Sequence, residues 1–191
     1  TRLNGAQLIA PYFLRHGKGL KEPIASMPGQ FQWSIDRWME ELQEVVELKI
    51  PAVLLFGIPE SKDKKASEAY NPDGIVQQAI RAAKEEYGDQ LIVISDVCLC
   101  EYMDHGHCGV VGLKESKAGK ANVQSIQDSY EIKNDPTLDL LAQVAVSHAR
   151  AGADIVAPSD MMDGRVRVIR GTLDEAALED TIILSYAAKY A

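Results

Sequence analysis

No apolar run in the chain approaches the ~18 residues that cross a bilayer as a helix. No stretch shows the ordered charged, apolar and small-residue regions of a signal peptide. Positive charge is in deficit: 20 Lys and Arg face 28 Asp and Glu, a net charge of -8, which argues against a nucleic-acid-binding surface. Cysteine is scarce, and the three present all fall between Cys98 and Cys108. With no others to pair, they suit a reducing cytosol better than a disulfide framework. No glycine-rich fingerprint follows the first strand-like segment, which weakens a dinucleotide-binding reading. There is no internal repeat and no low-complexity linker, so 191 residues, 46% of them hydrophobic, read as a single domain around one core. The expected setting is cytoplasmic, with neither a membrane nor a nucleic acid as partner.

Strand and helix patterns alternate along the chain. Leu8 to Leu14 reads as a first strand, with Pro11 tolerated best at an edge or bulge. Ser26-Met-Pro-Gly29 is a turn. Ser34 is placed to cap a helix from Ile35 to about Leu48, whose Ile35, Trp38, Met39, Leu42, Val45 and Val46 share a face. Ala52 to Ile58 is apolar without a break, as in a parallel strand buried on both sides. A charged loop from Pro59 to Asn71 leads to a helix from about Asp73 to Tyr87, ended by Gly88. Leu91 to Val97 is the third strand. Lys114 to Lys133 is polar and reads as a mobile surface loop. Asp135-Pro136 opens a helix that runs to about Ala151 and is capped by Gly152. Asp154 to Pro158, a helix from Asp163 to about Leu178, and Thr181 to Tyr186 complete the pattern. Five strands with helices between them predict a parallel α/β sheet with right-handed crossovers.

The polar residues gather where strands end: Asp96 with the cysteines, Ser159-Asp160, and Lys189. Barrels and open sheets both build sites there, so the clustering predicts a site without choosing the topology. Cys98, Cys100 and Cys108 stand with His105 and His107 just past the third strand. Thiolate and imidazole suit zinc. Three ligands fit an open, catalytic metal site, while His105 or His107 could instead close it or stand behind it. The bland alternative is three buried free thiols packing as small hydrophobes. Lys189 follows an almost wholly apolar run, so partial desolvation would lower its pKa and make it a Schiff-base nucleophile. On position alone, a lysine that pairs or reaches water is the stronger reading. Ser159-Asp160 alone reads as a helix cap before Met161-Met162.

Taken together, Asp96-Val-Cys-Leu-Cys with His105-Gly-His-Cys108-Gly, then Ala157-Pro-Ser-Asp-Met-Met-Asp-Gly-Arg-Val166, then Ser185-Tyr-Ala-Ala-Lys189-Tyr, resemble the delta-aminolevulinic acid dehydratase, or porphobilinogen synthase, family. Ser26-Met-Pro-Gly29, Leu55-Phe-Gly-Ile-Pro59 with Lys62-Asp63, Ser67-Glu-Ala-Tyr70 and Asn134-Asp135 support it, so the resemblance spans nearly the whole chain. It implies a (β/α)8 TIM barrel of which residues 1–191 cover about five strand-helix units as one partial catalytic domain. The activity implied is the asymmetric condensation of two 5-aminolevulinate molecules to porphobilinogen with loss of water, in tetrapyrrole biosynthesis. Cys98, Cys100 and Cys108 then hold an active-site zinc, Lys189 falls on the first of two Schiff-base lysines, and Asp96 and Ser159 line the substrate site. The histidines become loop and supporting residues. A further magnesium site and a homo-oligomeric full-length enzyme go with the family.

The chain departs from that pattern. It opens at Thr1 and stops after the fifth strand, so the second lysine, the basic groups for substrate carboxylates, the lid and the N-terminal arm would lie outside it, and it reads as an excerpt. Ala66 stands where a glycine is usual, and the Lys114 to Lys133 loop looks long. Two other classes stay open: a catalytically inactive zinc-binding or interaction protein on the same fold, and an aldolase-type Schiff-base barrel that needs no zinc.

Overall fold

A computed structural model describes residues 2–113 and 130–188. In chain order the elements are β1 (Ile9–Arg15), β2 (Lys21–Pro23), β3 (Phe31–Trp33), α1 (Ile35–Glu47), β4 (Ala52–Ile58), α2 (Ile75–Tyr87), β5 (Ile92–Val97), β6 (Val111–Leu113), β7 (Tyr130–Ile132), α3 (Asn134–Ala151), β8 (Ile155–Pro158), α4 (Arg165–Glu175) and β9 (Ile182–Ile183). The main sheet has the order β2-β3-β1-β4-β5-β8-β9. Its five expected strands, β1, β4, β5, β8 and β9, therefore neighbour one another in chain order, and every one of those pairs is parallel. A doubly wound sheet reverses its strand order at a switch point; across these five strands the order does not reverse, as in the wall of an α/β barrel, while β3 adds to the other side of β1. One register line crosses the wall through Pro11, Leu54, Ile94, Ile155 and Ile182. The wall is not closed among the described residues.

Alternation along each strand divides its residues between two faces. On the outer face, Leu14, Val53, Leu55 and Val93 pack under Trp38 and Leu42 of α1 and Ile80 of α2. Val97 and Val156 pack under Leu141 of α3 and Ile169 and Leu173 of α4. On the inner face, Ala52, Ile94 and Ala157 form a small cluster with Leu54, Ile155 and Tyr186, and Phe13 stacks on Phe56 at 5.1 Å. The inner face is thinly covered: Ile9, Ile92, Ile182 and Leu184 are exposed, Ile182 by 58%. Expressed alone, residues 1–191 should therefore self-associate and bind hydrophobic dyes. Size-exclusion chromatography with dye fluorescence checks this, and a monomeric, sharply melting fragment would show the inner face to be tolerated in water.

Several local expectations change. Ser34 stands before α1, but its side chain does not cap the helix. Its hydroxyl instead accepts from Leu20 N at 2.8 Å and donates to Asp36 Oδ1 at 2.5 Å, tying the β2 approach to the helix start. Pro11 is accommodated because β3 pairs only with Phe13 and Leu14, leaving β1 an edge at the proline. The polar stretch read as a loop to Lys133 includes β7, which pairs antiparallel with β6, and residues 114–129 of it lie outside the described residues. The helix expected from Asp163 begins at Arg165, because Asp163 N donates to Asn134 Oδ1 at 2.8 Å and so belongs to the start of α3. Gly88 and Gly152 end α2 and α3 with positive φ, as expected.

The outer layer holds one buried imidazole. His148 of α3 is 1% exposed, with Nδ1 3.0 Å from Ser95 Oγ on β5. Burial pushes its pKa down to about 3, against a partial pull from the Ala69 backbone. The unfolded chain, titrating near 6.5, then holds the extra proton through that window. Stability conferred by neutral His148 is thus complete above about 6.5 and is lost as pH falls toward 3, on the order of 5 kcal/mol over the whole range. Denaturant midpoints of the full-length protein should fall less steeply with acidification in His148→Asn than in the wild type. Parallel slopes would mean that other groups carry the acid sensitivity.

Candidate metal centre and strand-end site

Cys98 is the first residue past β5, and the chain turns sharply there. Tyr102 N and Met103 N both donate to Leu99 O, at 3.0 and 2.9 Å, making one helical turn. Gly106 takes φ +71, a left-handed conformation that glycine adopts without a Cβ penalty. At Gly109 a Cβ would lie 2.7 Å from both Ile132 and Thr137, so the loop can return to the hairpin only with glycine there. Thr137 Oγ1 accepts from Val110 N at 2.9 Å and closes the loop onto α3.

The segment before α2 braces the same loop from the other side. Asp63 N donates to Tyr102 O at 3.2 Å and Asp104 N to Asp63 O at 3.3 Å. The Asp63 carboxylate is held below its usual range, chiefly by the Ser67 hydroxyl, and accepts from Lys65 N at 2.7 Å and Ser67 N at 3.1 Å. Ala66, inside this turn, has φ +52 and no exposure. Its left-handed backbone explains why glycine would suit the position.

Braced in this way, the sulfurs of Cys98, Cys100 and Cys108 lie within 4.8 Å of one another. Cys98 Sγ is 3.3 Å from Cys100 Sγ, and all three are free thiols. A zinc held at about 2.3 Å by tetrahedral thiolates needs sulfurs about 3.8 Å apart, so the triad fits one ion with small adjustments. Its electrostatics point the same way. The hydrogen bond from Cys100 pulls the Cys98 thiol down to about 7, while the same bond pushes Cys100 up. Burial pushes Cys108 up to about 11. Three sulfurs so close tolerate little more than one negative charge unless a cation joins them. Glu101 Oε2 lies 3.0 Å from Cys100 Sγ, so this carboxylate and the Cys98 sulfur compete for the one Cys100 proton. His105 and His107 are exposed, their rings 5.4 Å apart, and neither joins the sulfur cluster. They instead line a cavity of about 630 Å³ beside the loop, together with Lys64, Tyr130 and Ile132.

Asp96 occupies the inner face of β5, opposite Ala157 of β8. Ser159 N donates to Val97 O at 3.2 Å, so β8 ends level with the metal loop. Asp96, the cysteines and Ser159 thus meet at one end of the wall. Lys189 lies outside the described residues. Ser159-Asp160 does not cap a helix at Met161: Asp160 is buried, its Oδ1 accepts from Met162 N at 2.7 Å, and the helix starts only at Arg165.

Sequence reasoning passed over two tyrosines. Tyr186, on the inner face, has its phenol pushed up by burial and by the charge of Asp96. Tyr102 is buried, with its phenol pushed up by burial first and then by Glu101 and Asp96. Its hydroxyl would meet a Cβ at Gly57 at 2.1 Å, which makes Gly57 the space for that ring. The signal was their position, one in each of the motifs that carry the cysteines and the lysine.

Fold and site together define a class: an α/β-barrel chain with a three-thiol metal-ready cluster at the carboxyl ends of its strands. Comparison with known proteins narrows it. The family model described as delta-aminolevulinic acid dehydratase matches residues 1–191. A Halalkalibacterium halodurans protein of that name is 50% identical over 191 residues, covering all of this chain and 53% of the relative. A Methanothermus sociabilis protein of the same name is 48% identical, covering all of this chain and 54% of the relative. The crystal structure of delta-aminolevulinic acid dehydratase (porphobilinogen synthase) from Toxoplasma gondii ME49, in complex with its reaction product porphobilinogen, superposes with a TM-score of 0.87 at 40% identity, covering all of this chain and 50% of that one. The chain belongs to the delta-aminolevulinic acid dehydratase family, and it spans about half the length of the two relatives named here.

Proposed function

We propose that this chain carries the metal-bearing part of a porphobilinogen synthase, which joins two 5-aminolevulinate molecules to porphobilinogen with loss of water. The observation that carries the reading is the three-sulfur cluster at the end of β5, in a chain of this family whose structural neighbour holds porphobilinogen. Cys98, Cys100 and Cys108 hold the ion. Thiolate donors favour zinc over magnesium, which prefers oxygen. Among the described residues these cysteines are the one group of three or more such side chains placed to share a metal ion; a further magnesium site remains part of the proposal. Zinc supplies Lewis acidity toward the second substrate.

The chain's own groups do the rest. Asp96 lies beside Cys98 on the inner face, where its carboxylate can accept a substrate N–H or hold a proton, and the Ser159 hydroxyl offers a neighbouring donor and acceptor. Lys189 attacks the substrate ketone as a neutral amine. The amine nitrogen bonds to the carbonyl carbon, water leaves, and the resulting imine acidifies the adjacent C–H for bond formation. A homo-oligomeric enzyme acting in the cytoplasm completes the proposal; no described helix is long and apolar enough to cross a membrane.

The full-length protein should form a pyrrole from 5-aminolevulinate, read by its colour reaction with an acidic aldehyde. A strong chelator should stop the reaction and zinc restore it. A folded, zinc-loaded protein that forms no pyrrole would instead be an inactive metal-binding relative, and activity indifferent to chelation would point to a barrel that needs no zinc.

A further inference from the structure

We infer that Arg165 is a positioning residue that ties the end of β9 to the end of β8, and so fixes Ser185, four residues before Lys189 in sequence, against the strand end that carries Ser159. The inference rests on the reading under Proposed function for its chemistry, and on geometry for its anchor. Arg165 opens α4 directly after Gly164, which has φ +81. A cation in the first turn of a helix opposes the helix dipole. This helix has Arg165 and Arg167 there and no acidic residue. The position is therefore explained by what the side chain reaches, not by the helix.

It reaches inward. The Arg165 side chain is 15% exposed and that of Asp160 is fully buried, with Nε 3.5 Å from Asp160 Oδ2. Asp160 is itself fixed, since its Oδ1 accepts from Met162 N at 2.7 Å. From that anchor Arg165 Nη2 donates to Ser185 Oγ at 3.3 Å. Asp160 follows β8 and Ser185 follows β9, so one guanidinium links the ends of two neighbouring strands. Its planar fork makes the two contacts from separate nitrogens, which an ammonium cannot reproduce in the same geometry. Ser159 adjoins Asp160, and Lys189 is four residues beyond Ser185 in sequence. Backbone pairing also joins these two strand ends. β9 itself is two residues long, and beyond it Leu184 N and Tyr186 N donate to Val156 O and Pro158 O at 2.9 and 3.1 Å.

Two variants of the full-length enzyme test this. Ser185→Ala removes the far contact without stranding a buried charge. Arg165→Lys keeps a cation for Asp160 but loses the fork. In each, borohydride trapping of 5-aminolevulinate on the peptide containing Lys189 is timed at saturating substrate, and amide exchange is followed at Leu184 and Tyr186. Both variants are expected to melt near the wild type, to trap about tenfold more slowly, the loss of one charge-assisted hydrogen bond, and to exchange those two amides faster. Substrate half-saturation should change far less than the trapping rate. Trapping and exchange at wild-type rates in folded Ser185→Ala would overturn the inference, and that variant decides alone if Arg165→Lys does not fold. If the wild type traps nothing on Lys189, the functional reading falls, and the exchange rates still decide whether Arg165 anchors β9.

Discussion

Replacing Cys98, Cys100 and Cys108 together by Ala should reduce zinc in the full-length protein from one ion per chain to background at equilibrium. The expectation follows from the sulfur geometry, with all three atoms within 4.8 Å, and from the charge pattern, in which Cys98 sits near 7 while the other two thiols are held up. Binding must then displace thiol protons, so retention should also weaken as pH falls. The control is His105→Ala with His107→Ala, which should keep its zinc because neither ring joins the cluster. Metal analysis after dialysis against a weak chelator reads both. Stoichiometric zinc in the triple variant would place the ion elsewhere, and its loss from the histidine variant would give the imidazoles a ligand role.

The second large effect is expected at Lys189. Lys189→Met removes the amine and keeps an apolar stem of similar length, so turnover should fall on the order of a thousandfold or more while folding persists. The expectation follows from the proposed role, in which the amine itself bonds to the substrate ketone, so that no other group of the side chain can replace it. Reduction with borohydride in the presence of substrate should mark the peptide containing Lys189. Labelling confined to other lysines, with normal turnover in the Met variant, would return Lys189 to a structural role.

How much of this was legible in the sequence depended on distance along the chain. The five parallel strands were readable because unbroken apolar runs such as Ala52 to Ile58 have few other uses, and their order in the sheet repeats their order in the chain. The helix ends at Gly88 and Gly152 were readable because positive φ selects glycine. The pairs β2 with β3 and β6 with β7 were not, since strands of three residues are too short to show alternation. The cysteine cluster was visible because its ligands are close in sequence. The Arg165 link to Ser185, the seat of Tyr102 against Gly57, and the diversion of Ser34 to Leu20 were invisible, because each depends on a partner that only the fold brings near. Ser34 shows the hazard well: its residue type favours a cap, and a tertiary partner outcompeted it.

The chain-order pairing of β1, β4, β5, β8 and β9 has a consequence for biosynthesis. Within this set of five, each strand pairs with the member translated before it. The sheet can therefore grow on the ribosome one strand-helix unit at a time, without waiting for a distant segment to emerge, which keeps loop-closure costs small at every step. The same arrangement means that a nascent chain always presents its newest strand as an open edge. When synthesis has just passed β9, that edge carries exposed Ile182 and Leu184, apolar surface of the kind that a ribosome-associated chaperone shields.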